Sequence, residues 1–175
     1  LVTSARASTW AEELCFEKSC PEAGEAATSE GVPQSRAYSD YAGDRAQLVI
    51  GGAISATLAD LSHPWTFGLQ RPDLPLFRQG TTVLRPSDNP YTTPVRYTND
   101  PLMAGYIGEE QLEAMRGQPA LIAEKQGDGL VVRFANNPLF RGFWRGTEKL
   151  FINALFFGQV VRDTTLPRVS AAPRP

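Results

Sequence analysis

The sequence predicts an α/β layer fold. Two β-rich runs flank a glycine-containing turn in "PALIAEKQGDGLVVRFA", and such a turn supplies the positive φ of a tight hairpin. The second run, "LVVRFA", is nearly all apolar, as in a strand buried on both faces. It leads into a stretch, about Phe140 to Phe157, whose apolar residues recur at three and four residues, the period of an amphipathic helix. Buried strands that feed helices assemble as layers of sheet and helix.

Taken in order, "LVTSARASTWAEELCFE" reads as strand, tight turn and helix, with Thr9 and Glu12 at capping-box spacing. Residues 19–35 are rich in Gly, Pro, Ala, Ser and Glu and lack periodicity, which predicts a long loop. Asp40 and Asp44, in "YSDYAGD", fall in a solvated loop rather than a cation site. "DRAQLVIGGAISATL" is a β-rich run around Gly51-Gly52, and a glycine pair in a strand marks a bulge or a close backbone approach. "DLSHPWTFGL" predicts a helical turn with Ser62 as cap, Pro64 in the first turn and Gly68 at the end.

Residues 75–108 alternate short β-like pieces with proline turns, which suits edge strands and loops better than central strands. "GEEQLEAMRG" predicts a short helix, acidic early and basic late, stopped by Gly117. The final helix, at 1.5 Å per residue, would span about 27 Å, with Gly158 as its C′ residue. No repeat or second domain is visible, so residues 1–160 form one domain. The Pro-, Ala- and Arg-rich residues 161–175 form a disordered tail. The opening "LVT" reads as the end of a buried strand, and the chain is expected to be a fragment of a longer polypeptide, incomplete at its N-terminus.

The 175 residues are 42% hydrophobic and 21% charged, with net charge −2, enough for one sizeable core. Nucleic acid is not an expected partner, because no basic and aromatic surface is evident. No apolar run approaches the ~20 residues of a membrane span. Cys15 and Cys20 are free thiols in a reducing compartment, or close a small loop in an oxidising one. With a single histidine they make a poor zinc set.

His63 is the only imidazole, so any histidine mechanism must use it. The favoured reading is structural: it bonds backbone in a first turn, beside Pro64 and Trp65. Ser4 lies in the strand-to-helix turn but lacks the glycines of a nucleophile elbow, so a satisfied turn serine is favoured there too. Backbone N–H groups at that helix start, with Arg6, could bind an anion. In "RFANNPLFRGFWRGTEKLFINALFFG", no residue from Asn136 through Lys149 is a general base near neutral pH. Asn136 and Asn137 suit a turn and cap. Arg141, Arg145 and Lys149 would form a basic stripe at four-residue spacing.

Three stretches, "GGAISATLADLSHPWTFGL", "NPYTTPVRYTNDPLMAGYI" and "FANNPLFRGFWRGTEKLFINALFFG", together resemble the C-terminal domain of a group of large bacterial zinc carboxypeptidases. The similarity covers roughly residues 1–160, and the third stretch is the most specific. The resemblance implies a flavodoxin-like, class I glutamine amidotransferase-like three-layer sandwich. It also implies an upstream peptidase domain that carries the zinc, and a periplasmic or secreted location.

Departures from the working enzymes shape the expected function. A carboxypeptidase zinc site takes two histidines and a glutamate, whereas His63 is followed by Pro64, Trp65 and Thr66. An amidotransferase needs a cysteine in the turn that here reads "TSARAS", and a histidine and glutamate near the stretch that here reads "FANNPLF". The expectation is a non-catalytic accessory domain without a metal of its own, which packs on the peptidase domain or holds a ligand at Ser4, Arg6, Asn136, Asn137 and Arg141. The alternative is a serine-type hydrolase with Ser4 as nucleophile and His63 as base.

Overall fold

The hairpin is where the sequence places it. In the computed structural model, which describes residues 2–4, 7–8, 35–48, 50–127 and 129–158, β5 (Pro119–Gln126) and β6 (Gly129–Phe134) pair antiparallel from Leu121↔Phe134 to Gln126↔Gly129. Gly127 supplies the positive φ, +56°, which a side-chain-bearing residue would adopt at a cost. Val131 through Ala135 are all buried, so the apolar run is covered on both faces. The one charge among them, Arg133, meets the buried Glu124 at 2.8 Å.

Four more strands complete a six-stranded sheet in the order β1-β6-β5-β4-β2-β3. They are β1 (Val2–Ser4), β2 (Ala53–Ala59), β3 (Asp73–Arg78) and β4 (Val95–Gly105). Only β1 and β6 pair parallel; the other neighbours pair antiparallel. Helices accompany the sheet: α1 (Tyr41–Leu48), α2 (Glu109–Met115), which touches β4 and α1, and α3 (Glu148–Phe156). The arrangement is mixed α/β, the class the sequence predicts.

One sheet face carries a large part of the core. Leu74, Leu76, Val95, Tyr97, Leu121, Val132 and Phe134 are buried there with Trp65, Leu150 and Ala154. Leu150 and Ala154 lie four apart on α3, so one helix stripe enters the core. Asn153, on the same side, ties α3 down by donating Nδ2 to the carbonyls of Trp65 and Phe67, each at 2.9 Å.

Several local expectations need correction. The "DRAQL" part of the β-rich run is helical, within α1; Ala, Arg, Gln and Leu are good helix formers, and the strand begins only after the glycine pair. Asp40 and Asp44 therefore lie in helical turns rather than a loop, with Asp44 paired to Arg36 at 3.0 Å. Pro101 lies within β4, which sits between β5 and β2 in the sheet but, among the described residues, pairs with β5 only at Val95 and Arg96, so the proline falls where that side of the strand is a free edge. Between Thr57↔Tyr97 and Ser55↔Leu102, β4 spends more residues than β2, so Pro101 sits in a bulge and breaks no ladder.

The last helix is half the predicted length. Phe140–Gly142 and Arg145–Thr147 are separate 3-10 turns, and only Glu148–Phe156 is α-helical. Arg141 at φ 50° and Gly142 at φ +67° turn the chain out of the helix path. Phe140 instead stacks on Phe77 of β3, with ring centroids 4.1 Å apart. The predicted basic stripe is dispersed with it: Arg141 lies over the Phe140 ring, and Lys149 donates to the Gly68 carbonyl.

Candidate functional site

The pairings make β1, β6, β4 and β3 run in one direction, and the register sets the carboxyl ends of the parallel pair β1 and β6 level with each other, beside the amino end of β4 at Val95. Open α/β sheets bind ligands at such an end. The register Ser4↔Phe134 brings the turn after β1 beside the "ANNP" segment after β6. Three of the expected ligand residues meet here. Ser4 is half-buried, Asn136 is buried and Asn137 is exposed. Arg6 lies outside the described residues, as do Thr9, Glu12, Cys15, Cys20, the loop of residues 19–34 and the tail of residues 161–175. Arg141 is exposed, its guanidinium carbon 5.3 Å from the Phe140 ring centre, and no hydrogen bond joins it to the other three among the described residues.

The polar groups at this end are largely spent on one another. The Ser8 hydroxyl, fully buried, donates to the Phe134 carbonyl at 2.9 Å and lies 3.2 Å from the Thr3 hydroxyl. The Asn137 carboxamide oxygen accepts from the Leu139 N–H at 2.9 Å, the turn geometry asparagine favours. Thr147 donates to the Pro138 carbonyl at 2.6 Å, which pins the segment to the foot of α3. The crevice between Leu76, Phe77, Asn136, Asn137, Pro138 and Thr147 has about 10 Å³ of free space, room for one water.

Asn136 belongs to a deeper cluster that sequence reasoning missed. Its Nδ2 donates to the Tyr97 phenol oxygen at 2.7 Å, and its Oδ1 accepts from Arg78 Nη1 at 3.3 Å. Arg78 Nη1 also donates to the Tyr97 oxygen at 2.9 Å. Arg78 is 0% exposed, Tyr97 1% and Asn136 5%. The signal was present in "DLPLFR", where Leu74, Leu76 and Arg78 alternate on the inward face of β3; period two alone turns that arginine into the core.

His63 takes the structural role. It, rather than Ser62, caps the 3-10 turn Pro64–Thr66: its Nδ1 accepts from the Trp65 N–H at 3.3 Å. Ser62 instead bonds the Asp60 carboxylate through both N–H and hydroxyl, because a carboxylate two residues back outcompetes the more distant helix donor. Gly68, at φ +79°, ends the turn as expected. Burial lowers the His63 pKa below 6.5, opposed by the Asp60 charge. The serine hydroxyl and the imidazole are not brought together. The pairs Ser4↔Phe134↔Leu121↔Val95↔Ala59 cross four inter-strand steps, about 19 Å at ~4.8 Å each. His63 lies beyond Ala59, and among the described residues no hydrogen bond joins it to Ser4.

A wider depression of about 660 Å³ lies on the outer side of β2 and β4, around Leu58, Asp60, Arg96, Thr98 and Asn99. Its carboxylate, Asp60, is engaged by Ser62.

Comparison of the chain with protein-family models, with curated proteins and with solved structures gives no match. The zinc that the carboxypeptidase resemblance implies has no fitting donor set among the described residues, where no three of His, Cys, Asp and Glu converge. The only imidazole there uses one nitrogen on its own turn.

Proposed function

We propose that the chain is a non-catalytic accessory domain of a zinc-carboxypeptidase-like protein, exported to the periplasm or beyond. On this reading it has the flavodoxin-like sandwich of a class I glutamine amidotransferase, and the zinc and peptidase chemistry belong to an upstream domain on which it packs. One observation carries the non-catalytic part. At the carboxyl ends of β1 and β6, the polar side chains among the described residues are hydroxyls, two carboxamides and an arginine, most of them bonded to one another or to backbone. Acyl transfer needs a nucleophile activated by an adjacent base, and none of these groups takes up a proton near neutral pH. The resemblance supplies the parent protein, and the parallel β1–β6 pair with helical residues Ala7 and Ser8 after it agrees with its strand-turn-helix.

The test is turnover by the isolated chain, with glutamine and with an activated ester as substrates. Ammonia and ester release at the background rate are expected, unchanged in Ser4→Ala. Turnover well above background that Ser4→Ala abolishes would defeat the reading.

A further inference from the structure

The outer face of β2 and β4 carries two opposite charges that do not meet. Along β2, Thr57 and Ala59 are buried and Leu58 between them is 41% exposed. Along β4, Val95 and Tyr97 are buried and Arg96 between them is exposed. Alternation therefore sends Leu58 and Arg96 to the face opposite the core, and the register Leu58↔Arg96 sets them side by side. The ladder runs on past β2, where the Asp60 N–H donates to the Pro94 carbonyl at 2.8 Å, so Asp60 follows Leu58 onto the outer face. Asp60 and Arg96 are then diagonal neighbours, roughly 7–8 Å apart across the strands.

Each charge keeps bonding capacity free. Both Ser62 bonds to the Asp60 carboxylate end on Oδ1, and Oδ2 has no partner among the described residues. Those bonds, with a smaller contribution from the Arg96 charge, hold the Asp60 carboxyl below 3.8, so it is an anion at neutral pH. The Arg96 guanidinium and the Asn99 carboxamide make no hydrogen bond among the described residues. Together with Leu58, Thr98 and Gly117 they line the depression of about 660 Å³, within the roughly 300–1,000 Å³ of small-molecule clefts.

We propose that this depression binds a small zwitterion, an α-amino acid with an apolar side chain. The Arg96 fork takes the carboxylate through two parallel N–H groups. Asp60 Oδ2 accepts from the ammonium, and the side chain covers Leu58, which lies next to both charges. A simple anion would be repelled by Asp60 and a simple cation by Arg96; a zwitterion uses both. Both charges face solvent, so binding is weak, with a dissociation constant on the order of 1 mM, and it weakens with salt. The inference goes beyond the accessory-domain reading and is independent of it, since it uses neither Ser4 nor Asn136 and does not depend on turnover.

The experiment titrates the whole chain with L-leucine at low salt, to roughly 20 mM, and follows it by NMR. Saturable shifts are expected at the Arg96 Nε–H, the Asn99 side-chain amide and the Gly117 backbone N–H. N-acetyl-leucine lacks the ammonium and leucinamide lacks the carboxylate, and each should bind at least tenfold more weakly than leucine. Glycine, which cannot cover Leu58, should also bind more weakly. Arg96→Gln and Asp60→Asn should each weaken leucine at least tenfold; asparagine keeps an acceptor for Ser62. The comparison of leucine with its two blocked forms needs no variant, so it decides the matter even if a substitution unfolds the chain. Absence of saturable shifts overturns the proposal. So do a blocked form that titrates as well as leucine and a folded variant that keeps full affinity. Equal binding of glycine and leucine overturns the apolar part.

Discussion

His63 shows what a lone imidazole does when a turn needs an acceptor. Its Nδ1 takes the Trp65 N–H, and its ring lies against the Trp65 indole with centroids 4.8 Å apart. Burial disfavours the charged form, and protonation at Nδ1 would also remove the acceptor of the Trp65 N–H. The folded pKa is therefore below the unfolded 6.5. The stability this contributes is present above pH 6.5 and is lost as pH falls through the folded value. Asp60, the facing carboxylate, is itself held below 3.8 by its Ser62 hydrogen bonds, so it remains ionised through that window. His63→Asn keeps an acceptor for the Trp65 N–H and removes the titration. Denaturant unfolding from pH 7.5 down to 5 should show a flatter loss of stability in the variant; identical pH slopes in the two proteins would rule His63 out as the group responsible.

Among the elements, α3 is held less by length than by its anchors. Two carbonyls of the His63–Gly68 segment depend on Asn153 Nδ2, which is 6% exposed. Asn153→Leu should cost about 1–3 kcal/mol, because buried acceptors lose their partner. Lys149→Met, which loses an exposed bond to Gly68, should cost well under half of that. Urea unfolding of the two variants checks the order, and equal losses would show that the exposed bond matters as much as the buried pair. Local sequence made some elements legible and not others. "GEEQLEAMRG" gave α2 because acidic start, amphipathic body and the Gly117 stop, at φ +67°, all act within one turn of the chain. The break at Arg141 was not legible. It depends on Phe140 finding Phe77, 63 positions back along the chain, at 4.1 Å, and no helical period contains that contact.

For the whole molecule, stability concentrates in the middle of the sheet. β5 and β6 carry side chains buried on both faces, with Ile122 at 0% and Val132 at 1% exposure, whereas Tyr41 on α1 is 56% exposed. Opening free energies follow buried contacts. Hydrogen exchange should therefore be slowest at the amides of Leu121–Ala123 and Val132–Phe134 and far faster across α1; comparable protection in the two regions would show that α1 opens only with the sheet. The candidate site belongs to this scale as well. Ser4 and Asn136 were legible as turn residues, but that they share one sheet end follows from the parallel β1–β6 register.

By itself the sequence determined the α/β class, the β5–β6 hairpin, α2, the helical turn at Pro64 and the absence of a second imidazole. Each of these is written in neighbouring residues: glycines where φ must be positive, period two or 3.6, and the identities of the side chains. Tertiary structure alone decided the strand order, the shortening of the final helix and the meeting of Arg78, Tyr97 and Asn136. Those three residues come from β3, β4 and the loop after β6, and only the packing of strands distant in sequence sets a buried cation beside a phenol and an amide.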